Sequence, residues 1–285
     1  MAAGRSLHIG VNRVDPGAYG GWSGPLRGCE NDANDLQAVC AANGFGTRKL
    51  LTAEATSAAV LAEIDEAAKA LTDGGLFVVT YSGHGGQRPD TDNEEPDALD
   101  ETWVLFDRQL LDDELYERWG RFAAGARVVV VSDSCHSGSV IQAMLDGYAA
   151  GVLGAAAAAG EALPALLGDA RAMPLEANNE DNTRRAPLYD SVKASAANER
   201  DVLLQARVLL LSGCQDNQTS ADGRRNGLFT ATLLREWDGG AFAGGYRRLL
   251  SSARRRMPPW QTPNYFALND SARAFDSERP FMIGH

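Results

Sequence analysis

The stretch VVVVSDSCHSGS, residues 128–139, places three chemically active side chains directly after an apolar run. Asp133, Cys135 and His136 follow the valines, where a buried strand would end. Open α/β sheets bind ligands beyond the carboxyl ends of their strands. The thiolate is the reactive form of cysteine, and it needs a partly exposed, electropositive setting. This position predicts that Cys135 is a nucleophile, provided that a base lies nearby.

A second strand end supplies a candidate base. His84 follows the apolar segment GLFVVTYSG, residues 75–83, and lies between two glycines. The carboxyl ends of parallel strands meet at one edge of a sheet, so we expect His84 and Cys135 to form a catalytic pair. His136 is the rival base. In an extended segment its side chain points to the side opposite that of Cys135, which favours a structural role for His136.

Apolar runs and helical patterns alternate along the chain. Continuously apolar strands separated by helices are typical of a mainly parallel sheet that helices cover on both faces, so we expect an α/β fold. No internal repeat is visible. The predicted strands are 7–12, 75–83, 126–134 and 206–214, and the predicted helices are 29–45, 57–71, 112–123, 227–238 and 246–257.

Composition restricts the classes of partner. The chain has 27 Lys and Arg against 38 Asp and Glu, a net charge of −11, which argues against nucleic acid and favours a cationic substrate. The four cysteines lack CxxC spacing, which makes a structural zinc site improbable and fits reduced thiols in the cytoplasm. We find no signal-peptide core and expect no membrane association.

Residues 147–200 form the part of the chain with the weakest prediction of order. The segment GYAAGVLGAAAAAGEALPALLG, 147–168, is apolar, but its glycines, Pro164 and Glu161 argue against a membrane span. It is predicted to be an alanine-rich helix or a loose insertion. The stretch EANNEDNTRRAPLYD, 176–190, is polar and is predicted to be mobile.

Several motifs together resemble the metacaspases and the prokaryotic metacaspase-like proteins called orthocaspases. They are YSGHGG, DSCHSG and GCQDNQTSADG, with LRGCENDANDL, LDETWVLFD, DDEL and QTPNYFAL around them. The resemblance implies one caspase-like domain over 1–285. Its large-subunit-like part is about 1–146, its insertion or linker 147–200, and its small-subunit-like part 201–285.

The resemblance also implies a cysteine endopeptidase with a Cys135/His84 dyad. Cys135 would attack a peptide carbonyl, and His84 would assist thiolate formation and protonate the leaving amine. The backbone N–H groups of Gly85 and Cys135 would hold the oxyanion, since glycine lets the substrate approach the chain closely. No third residue that orients His84 is evident in the sequence.

Charge argues for the substrate preference. Asp133 precedes Cys135 by two residues, so both side chains project to the same side of an extended segment. By resemblance, Asp32 and Asp133 would line the S1 pocket, with Cys29 and Ser82 as further wall residues. An acidic, desolvated pocket favours arginine or lysine at P1. The alternative for Asp32 is an ordinary acidic residue in the first turn of a helix.

Carboxylates also concentrate in DTDNEEPDALDE, residues 90–101, and in the pair at 112–113. Such oxygen ligands suit Ca²⁺, and the resemblance implies that Asp100, Asp112 and Asp113 bind it. The position at which the family has a further aspartate holds Gln142 instead. The alternative is a solvated acidic loop followed by a helix N-terminus.

The predicted mobile segment suggests self-processing. Arg184 and Arg185 are its basic residues and match the specificity expected of an acidic pocket, so cleavage is predicted after one of them. The alternative is an ordinary surface linker.

Two other functions stay open. One is a thiol amidase that acts on a small cationic amide rather than on proteins. The other is a catalytically silent interaction protein with the same fold. We otherwise expect a monomer whose partners are protein or peptide substrates.

Overall fold

A six-stranded sheet forms the centre of the molecule. In the computed structural model, which describes residues 3–89, 99–134, 170–195, 202–215, 218, 220–223, 225–275 and 277–284, these strands have the order β2-β1-β3-β7-β8-β9. All neighbours in this sheet are parallel except β8 and β9. The strands are β1 (Gly4–Gly10), β2 (Gly46–Leu51), β3 (Leu76–Ser82), β7 (Arg127–Asp133), β8 (Arg207–Ser212) and β9 (Asn264–Ala267).

The two faces of this sheet are both buried. Along β7, Val128 and Val130 belong to one apolar cluster, while Val129 and Val131 belong to the other. Successive side chains of a strand point to opposite faces, so burial of both faces favours apolar residues at consecutive positions in the middle of the strand. This explains why β3 and β7 appear in the sequence as continuous apolar runs.

Helices cover both faces. The helix α2 (Ser57–Ala70) and the helix α3 (Asp112–Trp119) contribute to the first cluster. The second cluster contains residues from α1 (Cys29–Ala42), α6 (Leu228–Trp237) and α7 (Tyr246–Arg254). A short helix, α8 (Ala272–Phe275), follows β9 near the end of the described chain.

A small antiparallel sheet lies outside the central one. It has the order β4-β5-β6, with β4 (Gly85–Pro89), β5 (Leu99–Val104) and β6 (Gln109–Leu111). Two further helices, α4 (Leu175–Arg184) and α5 (Ala186–Ser195), are joined by a single residue. Side chains of α4 bond to β4: Asn178 and Asn182 each donate an amide N–H to the carbonyl of Gln87, at 2.6 and 2.8 Å.

The predicted α/β fold with a mainly parallel sheet between helices is confirmed. Each predicted strand and helix is present, with ends that shift by a few residues. The strands β2, β4, β5, β6 and β9 were not predicted. Among the described residues, no helix combines the length and the apolar character that crossing a membrane requires.

The prediction of a mobile segment over 176–190 is wrong. This range forms most of α4 and α5, in which Asn178, Asp181 and Tyr189 are buried. Asp181 Oδ2 accepts hydrogen bonds from Tyr189 and from the Gln109 amide, at 2.7 and 3.0 Å. Polar side chains that bond to each other and to the small sheet therefore fix this segment, a contribution that hydropathy does not reveal.

Candidate active site

The parallel register brings the predicted site segments to one edge of the sheet. Ser82 at the end of β3 pairs with Asp133 at the end of β7, and Ser132 pairs with Ser212 on β8. His84 follows Ser82 by two residues, as Cys135 follows Asp133. Cys135, His136 and Gln142 lie outside the described residues, as does the alanine-rich range 147–168. The site is therefore built from the residues around them.

His84 is held by a main-chain carbonyl. Its Nε2 lies 3.0 Å from the oxygen of Gly24, and its ring packs edge-on against Trp22 with the centroids 4.9 Å apart. A carbonyl oxygen only accepts, so Nε2 carries the proton and Nδ1 is the basic nitrogen. Within the described residues, Nδ1 makes no hydrogen bond. Gly24 is thus the orienting partner that the sequence did not reveal.

Burial determines the charge state of His84. The side chain is buried, and this desolvation lowers the pKa of the imidazole to about 4, against a smaller opposing effect of the Gly24 hydrogen bond. Removal from water disfavours the charged form. The ring is therefore a neutral base at pH 7 in this conformation of the protein.

The residue predicted to hold an oxyanion donates to a peptide carbonyl. The N–H of Gly85 lies 2.9 Å from the oxygen of Arg171. This N–H therefore already binds a main-chain carbonyl next to His84. The second predicted donor, the N–H of Cys135, is outside the described residues.

Three aspartates surround one guanidinium group. Arg171 is fully buried and forms ion pairs with Asp32 at 2.8 Å, Asp133 at 3.0 Å and Asp222 at 2.8 Å. Each of the three carboxylate side chains is at most 2 % exposed. The structure therefore brings the predicted pocket residues Asp32 and Asp133 together, around an arginine that belongs to this chain.

The remaining predicted wall residues lie beside this group. Ser82 Oγ donates to Asp32 Oδ2 at 2.6 Å and accepts from Arg171 at 2.7 Å. The Cys29 thiol interacts with Ser82, and burial raises the pKa of this thiol to about 12. The Cys29 thiol is therefore neutral at pH 7, which argues against a second nucleophile at this position.

Asp222 was not predicted. It lies in GCQDNQTSADG, which the sequence marks as a strand end without assigning a role to this aspartate. Its carboxylate also accepts from the backbone N–H groups of Arg27 and Gly28, at 2.6 and 3.1 Å. It lies in the loop after the predicted strand 206–214, within a motif already assigned to the edge that holds Asp133, and this was the signal that could have identified it.

Further donors support the other two carboxylates. Asp133 accepts hydrogen bonds from the hydroxyls of Ser220 and Thr230, at 2.6 and 2.7 Å. Asp32 accepts from the N–H of Gly227 at 3.1 Å. Burial raises the pKa of the Asp32 carboxyl, and the charge of Arg171 opposes that rise. The charge of Arg171 and the Gly227 N–H both favour the ionised form of Asp32.

A second acidic cluster lies at the small sheet. Carboxylate oxygens of Asp100, Asp112 and Asp113 lie within 4.8 Å of one another. The ammonium group of Lys193 on α5 is 2.7 Å from Asp100 Oδ2 and 3.8 Å from Asp113 Oδ2. The three carboxylates suit a hard cation such as Ca²⁺. In this conformation the Lys193 ammonium group supplies the positive charge beside them.

The predicted self-cleavage site lies where the helices α4 and α5 meet. Arg184 ends α4, and the guanidinium groups of Arg184 and Arg185 both donate to the carbonyl of Ala18. Arg185 also lies over the Tyr19 ring, 5.5 Å from its centroid. These contacts hold the joint between α4 and α5 against the loop at 18–19.

Comparisons with known proteins agree on the family. The family model described as the caspase domain matches residues 5–273. Metacaspase-1 of Coccidioides immitis is 31% identical over 254 residues, which are 80% of this chain and 52% of that protein. Metacaspase-1A of Aspergillus terreus is 30% identical over 249 residues, 80% of this chain and 60% of that protein. The chain thus spans little more than half the length of these curated relatives.

Two solved structures are similar. Protein GSU0716 from Geobacter sulfurreducens has a TM-score of 0.85 and 45% identity, and the match covers 99% of this chain and 100% of that one. Caspase-1 from Spodoptera frugiperda has a TM-score of 0.54 and 12% identity, with 94% and 87% covered. The second likeness supports the fold alone.

The three-aspartate cluster yields a stability prediction. In a Cys135→Ala background, which excludes self-processing, Arg171→Met should lower the free energy of unfolding by about 3–5 kcal/mol at pH 7, because buried carboxylates lose their cation. Without the cation, burial raises the pKa of Asp32 further above its value in the unfolded chain. That penalty is absent at low pH and grows as the pH rises through the folded-state pKa, so the deficit should shrink from pH 7 to pH 5.

Arg225→Met is the matched control, because its ion pair with Asp35 is on the surface and its side chain is 78% exposed. We expect a change of less than about 1 kcal/mol there. Chemical denaturation at both pH values measures the difference. Equal stability of the two variants would contradict the role given to Arg171.

Proposed function

This chain belongs to the caspase-domain family of peptidases, and from that premise we propose that it is an endopeptidase that cuts after arginine or lysine. The observation that carries the specificity is the buried cluster of Asp32, Asp133 and Asp222, which holds a guanidinium group at 2.8–3.0 Å. A planar guanidinium matches carboxylates in geometry as well as in charge. An aspartate at P1 would face three negative charges.

The residues proposed for the catalytic roles follow the ends of β3 and β7 in the sequence. Cys135 is the proposed nucleophile, and Nδ1 of His84 is the base that takes its proton and returns it to the leaving amine. The N–H of Gly85 stabilises the oxyanion, since it already lies 2.9 Å from a main-chain carbonyl oxygen. The Gly24 carbonyl fixes the tautomer of His84.

We also propose a cytoplasmic location. Cys29 and Cys40 are buried and form no disulfide bond. Unpaired thiols persist in reducing compartments.

A panel of fluorogenic peptides tests the specificity. The wild-type chain should cleave after arginine and lysine and leave aspartate peptides intact, while Cys135→Ala and His84→Ala should both abolish cleavage. Asp222→Asn should lower kcat/KM for arginine peptides by about 100-fold, because a buried ion pair is broken. Asp35→Asn is the control and should retain activity, because Asp35 lies in α1 with a partly exposed side chain.

Several outcomes would count against this function. A preference for aspartate at P1 would refute the acidic pocket as the S1 site. Hydrolysis of a small arginine amide, with long peptides left intact, would favour the thiol amidase. Inactivity toward every substrate would favour the silent interaction protein.

Gly24 offers a test of the His84 arrangement. Its φ is +49°, and an added Cβ would lie 2.9 Å from His84 Nε2 and 2.6 Å from Trp22. Gly24→Ala should therefore displace the imidazole and lower kcat by about 100-fold with little change in KM. The pKa on the acidic limb of the pH profile should also shift, since the orienting hydrogen bond is altered.

Gly21→Ala is the matched control, because Gly21 also has a positive φ, +99°, but open space at the Cβ position. It carries the same type of backbone strain without the contact to His84. If both variants lose kcat equally, backbone strain rather than the position of His84 explains the loss.

We further propose that Asp100, Asp112 and Asp113 bind Ca²⁺. Carboxylate oxygens are its preferred ligands, and the three aspartates lie close enough to share one ion. Since the Lys193 ammonium group is 2.7 Å from Asp100, a calcium ion at this position has to displace it. Calcium binding would thereby release the contact that joins α5 to this cluster.

Competition between the two cations predicts a change in affinity. In a Cys135→Ala background, Lys193→Met should tighten calcium binding about tenfold or more, because the ion no longer displaces a partly buried ammonium group. Isothermal titration calorimetry measures this directly. Lys69→Met, which removes an exposed lysine paired with Glu66, should leave the affinity unchanged. Binding that survives Asp112→Ala together with Asp113→Ala would disprove the site.

A further inference from the structure

We propose that Arg185 is a positioning residue for the catalytic base, and that it acts on His84 through the rings of Tyr19 and Trp22. This inference rests on the proposed role of His84 as the base of a peptidase. Arg185 is the single residue between α4 and α5, and it contacts the loop beside the base. That loop, residues 11–28 between β1 and α1, is the base loop.

The base loop supplies both groups that orient His84. The Gly24 carbonyl accepts from Nε2 at 3.0 Å, and the Trp22 ring packs edge-on against the imidazole. Gly20 and Gly21, which precede Trp22, have φ values of +64° and +99°. Glycine adopts such values without strain but is conformationally permissive, so this turn needs contacts from outside it to hold one conformation.

Tyr19 connects that turn to the body of the protein. Its side chain is buried, and its hydroxyl donates to the Leu105 carbonyl at 2.8 Å. Its ring stands edge-on to that of Trp22, with the centroids 5.9 Å apart and the planes at 79°. Edge-to-face pairs of aromatic rings have a preferred geometry. A displaced Tyr19 ring should therefore displace Trp22, which is the ring that packs on His84.

Arg185 fixes the Tyr19 ring from the other side. Its guanidinium carbon lies over that ring, 5.5 Å from the centroid, and the same group donates to the Ala18 carbonyl at 2.8 Å. The side chain is only 18% exposed, so water weakens the cation–π attraction little. One guanidinium group thus binds the main chain and the ring at adjacent positions of the base loop.

Arg185 is itself held by a buried acid. Its Nε lies 3.5 Å from Asp181 Oδ1, and the Asp181 side chain is fully buried. Asp181 Oδ2 accepts from Tyr189 on α5 and from Gln109 on β6, at 2.7 and 3.0 Å. Contacts therefore run from the small sheet through Arg185 to the base loop, and from there to the imidazole.

Arg184 provides an internal comparison. It also donates to the Ala18 carbonyl, and it pairs with Asp181 at 3.3 Å. Its side chain is 39% exposed, and among the described residues it lies over no aromatic ring. A role limited to holding the two helices against the base loop would be shared by both arginines. The proposed effect on His84 requires the contact between Arg185 and the Tyr19 ring.

Burial by Trp22 gives the proposal a measurable consequence. Desolvation is the largest influence on His84 and lowers the pKa of the imidazole to about 4. Two charged side chains also act on this pKa: Arg171 lowers it and Asp222 raises it, and a change at Arg185 alters neither. Release of Trp22 would admit water to the imidazole, so the pKa should rise toward its ordinary value of 6.5.

NMR of histidine-labelled protein tests the proposal without relying on catalysis. In the Cys135→Ala parent, the imidazole nitrogens of His84 report its tautomer and its pKa, and His84→Gln identifies its signals among the four histidines. The parent should show one tautomer, with the proton on Nε2. Arg185→Met should raise the pKa of His84 by about one unit and add the tautomer with the proton on Nδ1.

Two arginine variants separate positioning from a general loosening of the helices. Arg185→Lys keeps a cation over the ring and should restore most of the parent's tautomer and pKa. Arg184→Met is the matched control, because it removes the other contact to Ala18 and Asp181, and it should leave His84 unchanged.

Tyr19 gives a second test that leaves both arginines in place. Tyr19→Leu should reproduce the effect of Arg185→Met on His84, while Tyr19→Phe, which keeps the ring, should have a much smaller effect. Combining Tyr19→Leu with Arg185→Met should add little to either change, because residues that act along one path are not additive.

Kinetics with an arginine peptide provide a further readout in the active chain. Arg185→Met should lower kcat about tenfold and leave KM nearly unchanged, because it displaces the base and not the substrate pocket. The acidic limb of the pH profile should move to higher pH, in the direction of the His84 pKa. Arg184→Met should keep the kcat and the pH profile of the wild type, and intact-mass spectrometry checks that all chains compared have the same length.

The outcomes distinguish this inference from the proposed function. An unchanged His84 tautomer and pKa in folded Arg185→Met would overturn the inference, whatever the activity of the chain. Equal shifts in Arg184→Met and Arg185→Met would also overturn it, because they would indicate a general loosening of the joint. The expected shifts in a chain that cleaves no peptide would support the link from Arg185 to His84 and count against the peptidase function alone.

Discussion

Three buried carboxylates at one edge of the sheet impose the strongest constraint on this structure. Asp32, Asp133 and Asp222 come from the start of α1, the end of β7 and the loop before α6, and removing three negative charges from water is costly. Backbone N–H groups and hydroxyls bind the carboxylate oxygens, but they do not supply a full positive charge. This edge therefore requires a positively charged group, and the proposed preference for arginine or lysine at P1 follows from the same requirement.

Among the described residues, the groups that orient the imidazole of His84 carry no charge. His84 is oriented by the Gly24 carbonyl and by the Trp22 ring, and both are neutral. A carboxylate in the place of Gly24 would raise the pKa of the imidazole by favouring its charged form. The neutral partner instead leaves burial as the dominant influence, which keeps a base beside an acidic pocket without pairing the two.

The sequence predicted what depends on apolar patterns and on strand ends. The strands β3, β7 and β8 were evident because burial on both faces favours consecutive apolar residues. The polar residues that follow these apolar runs identified His84 and Asp133. The small sheet was missed, because β4 is GGQRP and has no apolar run. The helices α4 and α5 were missed, because their buried residues include Asn178 and Asp181. Gly24 acts through a carbonyl that every residue has, and no pattern marks Arg171.

The position of β8 in the sheet has a consequence for how the molecule holds together. This strand pairs with β7 over six residues in parallel register, and its side chains enter the apolar clusters on both faces. The segment that links β7 to β8 is long. The parts of the chain before and after it are therefore held together by the shared sheet and core rather than by the peptide link. A single break in that link would leave a tightly associated pair of fragments, which migrates as one particle in gel filtration and separates only in denaturant.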